Sequence, residues 1–273
     1  MSTLSVGFSG YDTSRSASDS IWSSCPVEQL AFGKRAGAFI RDDFTTFAAD
    51  ASLYKQYADA AAIALEHDTG ALYMNCTNTD NNESYVAGGI NITAACKMTG
   101  GGLSRVWFET RLKLSAITDQ GVFVGLALPT FAAANMLVDD TGVPRTTNGS
   151  FVGFRAVTAD PDGMDAVYAT AGTALTVHQE AEGSDAKYVP GTTSTYLQNL
   201  VADTYVKYGI YFDGLKCYWF VNGVKVNETG VAATATNFPD GVNMHVVWGV
   251  KTGESVAKAM TVDWYQIGYA INS

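Results

Sequence analysis

Asp160-x-Asp162-Gly163-x-Asp165 has the chemistry of a hard-cation site, because three carboxylates from one loop could give Ca2+ several oxygen ligands. The spacing is not that of the twelve-residue helix-loop-helix site, and Asp-Pro-Asp-Gly is equally an ordinary turn, so both readings stand. Asp80-Asn81-Asn82-Glu83 offers similar donors. The three histidines, His67, His178 and His245, lie far apart and have no metal-type partner two or four positions on. No G-x-S-x-G turn is present to carry a nucleophilic serine. Gly100-Gly101-Gly102 is followed by Leu103-Ser104-Arg105, which lacks the Lys-Ser/Thr of a phosphate loop. Cys25, Cys76, Cys96 and Cys217 form no CxxC or zinc pattern and read as small buried hydrophobes. A Cys76–Cys96 disulfide would require an oxidising compartment. Of the tryptophans, Trp107 falls on the polar side of its segment, which makes it the candidate exposed ring, for a partner or a sugar.

The segments that must position these groups are strands. Ser104–Leu114 alternates cleanly: Val106, Phe108, Thr110, Leu112 and Leu114 on one side, Trp107, Glu109, Arg111 and Lys113 on the other. Tyr205–Val226 reads as an antiparallel meander, because Asp213-Gly214 and Asn222-Gly223 favour type I′ turns. Large apolar groups on both of its sides predict a sheet covered on both faces. Further strands are predicted over 38–47, 70–76, 85–93, 121–128, 150–157, 165–170, 173–178, 187–190, 243–251 and 260–269, with a hairpin turn at 159–163. Residues 51–65 admit a short helix or a strand near 60–66. With no βα alternation, the sum is an all-β sandwich or barrel.

Composition agrees. Only 16% of the 273 residues are charged, and 27 glycines accompany many Thr, Val and Tyr. A net charge of −10 without a Lys/Arg cluster argues against a nucleic-acid partner. No apolar run approaches a membrane span, and the first residues carry no signal-peptide pattern, which points to a cytoplasmic origin. Residues 1–37 are polar and sparse in apolar anchors. They read as an N-terminal arm that either extends to a partner or folds back, with Trp22, Cys25, Pro26, Val27 and Phe32 as docking residues. Residues 38–273 form the β domain.

Five segments in order resemble the concanavalin A-like lectin/glucanase family: Asp42-Asp43-Phe44, Gly70-Ala71-Leu72, Phe108–Lys113, Trp219–Val226 and Met260–Trp264. This resemblance implies a jelly-roll β-sandwich of two antiparallel sheets. A narrower one is carried by Cys25–Phe44, Thr79–Ser84 and Gly153–Gly172, which resemble virion structural proteins of tailed bacteriophages.

Glucanases of this fold hold two Glu with an Asp between them on one strand, at i, i+2 and i+4. Here the corresponding strands, Gly121–Leu128 or Phe151–Val157, contain no acid. The resemblances together lead to the expectation of a non-enzymatic capsid decoration or cement protein in a phage head. It would bind the major capsid protein and neighbouring copies of itself as a trimer or dimer, without a cofactor other than the candidate Ca2+. The second expectation is a lectin-like carbohydrate-binding module of a tail or fibre, with a host glycan as ligand.

Overall fold

The computed structural model describes residues 21–33, 36–44, 54–59, 62–66, 70–88, 96–132, 135–158, 160–179, 200–226 and 229–271; for 62–66 and 160–162 the backbone alone is described. A short helix α1 (Val27–Ala31) precedes the strands β1 (Gly37–Asp42), β2 (Tyr54–Ala58), β3 (Ala62–Glu66), β4 (Ala71–Cys76), β5 (Glu83–Gly88) and β6 (Cys96–Met98). Next come β7 (Ser104–Leu114), β8 (Gln120–Ala127), β9 (Phe151–Val157), β10 (Asp160–Ala169) and β11 (Thr176–Gln179). The chain closes with β12 (Val206–Phe212), β13 (Lys216–Val221), β14 (Val224–Lys225), β15 (Val231–Ala232), β16 (Val242–Thr252) and β17 (Lys258–Ile271).

These strands build a jelly-roll β-sandwich of two antiparallel sheets. One has nine strands in the order β14-β13-β12-β7-β17-β4-β3, with β1 added on β17 and β15 on β13. The other has eight, β11-β10-β9-β8-β16-β5-β2, with β6 added on β16. The alternation of β7 sends Val106, Phe108, Leu112 and Leu114 into the core between the sheets, where they meet Val122, Val124, Val152 and Phe154. Each buried side chain of this size contributes about 1.5–3 kcal/mol. Two indoles tie the sheets together. Trp219 donates to the Gly153 carbonyl (2.9 Å) and Trp248 to the Thr110 hydroxyl (3.3 Å).

Local chemistry decides the turns. Asn222 and Gly223 take φ of 50° and 76° between the paired Val221 and Val224, as a type I′ turn requires. Asp213-Gly214 closes differently from the predicted type I′ turn: the Asp213 carboxylate accepts from the backbone N–H of Leu215 and Lys216, both at 2.7 Å. Residues 54–66 yield β2 and β3 rather than a helix, because pairing with β5 and β4 outweighs the local preference of alanine. The turn predicted at 159–163 is also displaced. Asp160 already pairs with Val157, and the register then shifts before Asp165 pairs with Arg155. Pro161, which cannot donate to a ladder, sits within this irregularity. The strand predicted at 187–190 lies outside the described residues.

Candidate functional site

Each sheet has an outer face, and the two differ in what lies on them. On the eight-stranded sheet, adjacent strands bring Tyr57, Tyr85, Gly249, Phe123, Arg155 and Asp165 into one row. This is the face of β8 and β9 on which the resemblance would place catalytic acids. The outward positions of β9 hold Phe151, Gly153 and Arg155 instead. The segment after β8 folds across the sheet. Phe131, Ala132, Met136 and Leu137 are buried against Tyr85, Phe123, Phe151 and Val247 as a second core. Glycines make room for it: a Cβ on Gly249 would lie 2.2 Å from the Met136 methyl, and one on Gly121 would lie 2.5 Å from the Gly142 Cα.

A buried polar cluster fastens that segment. The Lys251 ammonium, on β16, donates to the Glu83 carboxylate (3.1 Å), to the Leu137 carbonyl (3.2 Å) and to Asp139. Glu83 also accepts from the Tyr85 hydroxyl and from the Asn135 backbone N–H. Burial first, then the Glu83 charge, push the Tyr85 phenol far above its usual range, so it remains a donor. Glu83 and Asp139 are thus engaged as acceptors of one ammonium. This arrangement holds a loop in place.

Part of the outer face of the nine-stranded sheet is covered by described residues. Residues 21–33 lie across it: Ile21 reaches Gly209, Trp22 donates to Glu109 (2.9 Å), and Leu30 packs on Trp107 and Ala270. Trp107 is therefore fully buried, with its indole N–H 3.3 Å from the Ser24 hydroxyl, and not the exposed ring that its strand pattern predicts. The polar side of β7 was legible, but its covering comes from a segment more than seventy residues earlier in the chain.

Beyond Trp22 the described residues of the same face include a group of half-buried side chains. The pairing of β7 with its neighbours sets Lys207, Arg111 and Trp264 in one row. In the next row Lys113 lies opposite Thr261, and Thr261 opposite Tyr73. Tyr205 lies just before β12, with the Arg111 guanidinium 4.0 Å and the Lys113 ammonium 5.3 Å from its ring centre. Tyr73, Tyr205 and Trp264 are each half-buried, as are Arg111, Lys113 and Lys207. Three rings with interleaved cations form a strip that can stack on a flat ligand and hydrogen-bond its rim.

The other predicted residues disperse. Cys25 lies against Gly268, and Val27 is buried as the first residue of α1, whereas Phe32 is 73% exposed. Pro26 caps α1 from its N-terminal side. Asp165 is buried and accepts from Arg155 (3.0 Å); the side chains of Asp160 and Asp162 lie outside the described residues. Among the described residues no group of three or more His, Cys, Asp or Glu could hold a metal ion. All four cysteines are free thiols, three of them buried. His178 packs against Trp219 with ring centres 5.0 Å apart and planes tilted by 34°, and His245 is buried, while His67 lies outside the described residues.

No protein-family model and no curated protein matches the sequence. Solved structures do match. The Bacteroides ovatus mixed linkage glucan PUL GH16, in complex with G4G4G3G product, is 11% identical with a TM-score of 0.54, over 84% of this chain and 99% of that one. The Bacillus licheniformis β-glucanase is 10% identical with a TM-score of 0.52, over 87% of this chain and 100% of that one. A protein of unknown function from Shewanella oneidensis is 10% identical with a TM-score of 0.50, over 90% and 94%. At such identities the likeness shows the fold. It also corrects two expectations: the neighbours named by activity are glucan-cleaving proteins and not virion components, so the capsid decoration or cement role and the non-enzymatic assignment are overturned.

Proposed function

We propose that the protein is carbohydrate-active and that it holds a polysaccharide along the open strip of the nine-stranded sheet. The observation that carries this reading is the set of three half-buried rings on one sheet face: Tyr73 and Trp264 in adjacent register rows, and Tyr205 against Arg111 and Lys113. Pyranose rings present C–H faces that stack on aromatic side chains, and their hydroxyls take hydrogen bonds from Arg111 and Lys113 at the rim. The fold supports the same reading, since it is shared with glucan-acting proteins along most of the chain. The opposite outer face, where the resemblance would put acids, is filled by Phe131, Met136 and Leu137.

Affinity electrophoresis through gels containing mixed-linkage β-glucan, β-1,3-glucan or pectic polysaccharide tests the proposal. At least one gel should retard the native protein, and Trp264→Ala should weaken retardation by about tenfold, the scale of a lost aromatic anchor. Reducing-end release from the same polysaccharides measures cleavage in parallel. Unretarded migration in every gel, with no reducing ends released, would sink the reading.

A further inference from the structure

We infer that the strip selects an acidic polysaccharide, one built from uronic acid units; this rests on the carbohydrate reading above and names its ligand class. The chain carries a net charge of −10, yet this strip gathers Arg111, Lys113 and Lys207 within two adjacent rows of the sheet. Two acids on the described part of the face are already engaged. Asp263 pairs with Arg111. Glu109 accepts from Trp22 and from Gln266, and lies 3.9 Å from the Lys207 ammonium. Lys113 has no carboxylate partner among the described residues, and its ammonium is placed over the Tyr205 ring. Aromatic rings alone would serve a neutral glycan. An ammonium over the Tyr205 ring, without a carboxylate among the described residues, adds a site for an anion.

Carboxylate is the anion that fits best. Arg111 uses one guanidinium nitrogen on Asp263, and its planar fork keeps further N–H donors in geometry suited to a second carboxylate. A uronate presents that carboxylate at the edge of the same ring whose face stacks on Trp264 or Tyr205. The remaining negative charge of the chain repels a flexible polyanion that cannot stack, which favours a sugar acid over a simple charged polymer.

The test is titration of the protein by calorimetry with four probes at low and physiological salt: polygalacturonate, neutral mixed-linkage β-glucan, the sulfated glycan carrageenan and a single-stranded oligonucleotide. Polygalacturonate should bind about tenfold more tightly than the neutral glucan, with the advantage shrinking as salt screens it. Lys113→Glu should erase that advantage by weakening polygalacturonate binding about tenfold more than neutral-glucan binding, whereas Trp264→Ala should weaken both alike. If neutral glucan binds as well as polygalacturonate, and Lys113→Glu changes neither, the acidic selectivity is wrong while the carbohydrate reading survives. Tighter binding of carrageenan than of polygalacturonate, or equal binding of a single-stranded oligonucleotide, overturns uronate recognition as well. No binding of any glycan removes the carbohydrate reading itself. Circular dichroism of both variants guards against unfolding.

Discussion

The two outer faces of the sandwich are made from the same kind of strand and finish differently. On the eight-stranded sheet, the segment between β8 and β9 turns the face into a second core around Phe123, Phe131, Met136 and Phe151, locked by Lys251. On the nine-stranded sheet, residues 21–33 seal Trp107 and stop near Glu109, leaving Tyr73, Tyr205, Trp264 and their cations half-buried. A face filled by the protein's own apolar side chains is committed to stability. One that keeps rings and cations at the solvent boundary retains the means to bind. Fold likeness to glucanases therefore does not by itself locate a ligand on the glucanase face.

Three substitutions would break or sharpen that contrast. The largest effect is expected from Lys251→Met, which leaves Glu83 charged and buried without its ammonium; chemical denaturation should show a loss of about 3–5 kcal/mol. Much of that loss should return in Glu83→Leu/Lys251→Met, where both charges are gone, and an equally unstable double variant would deny the cluster its locking role. A smaller effect is expected from Trp22→Ala. It strips packing from Phe39 and Gly268 and a hydrogen bond from Glu109, at a cost of about 2 kcal/mol, and should expose Trp107 to acrylamide quenching. Unchanged quenching would show that the covering segment is held by other contacts. The smallest is Trp264→Ala, which should move stability by no more than about 0.5 kcal/mol while reducing glycan retention. A large stability loss there would reclassify the strip as part of the packing.

Acidity gives a further check away from both faces. Desolvation lowers the His178 pKa, so the unfolded chain binds a proton near pH 6.5 that the folded chain binds only at lower pH. Stability should fall as pH drops through 6.5, and His178→Gln should flatten that part of the denaturation profile. An unaltered slope would place the linkage elsewhere.

Much of the sandwich was legible in short-range pattern. The period-two run of β7 fixed which residues face the core, and Asn222-Gly223 fixed a hairpin, because side-chain alternation and positive φ are properties of a few adjacent residues. The cysteines read correctly as apolar fillers for the same reason. Binding residues were harder. Trp107 and Trp264 both stand on the polar side of a strand, and only Trp107 was singled out, although it is the one that is buried.

Sequence by itself determined the strand class, the core-facing sides and the absence of an acid on β8 and β9. Tertiary structure alone decided which outer face is filled and which stays open. That decision depends on contacts such as Trp22 with Glu109 and Lys251 with Glu83, whose partners lie 87 and 168 positions apart. No local periodicity carries information across such separations, because it is the closure of the two sheets that brings those residues together.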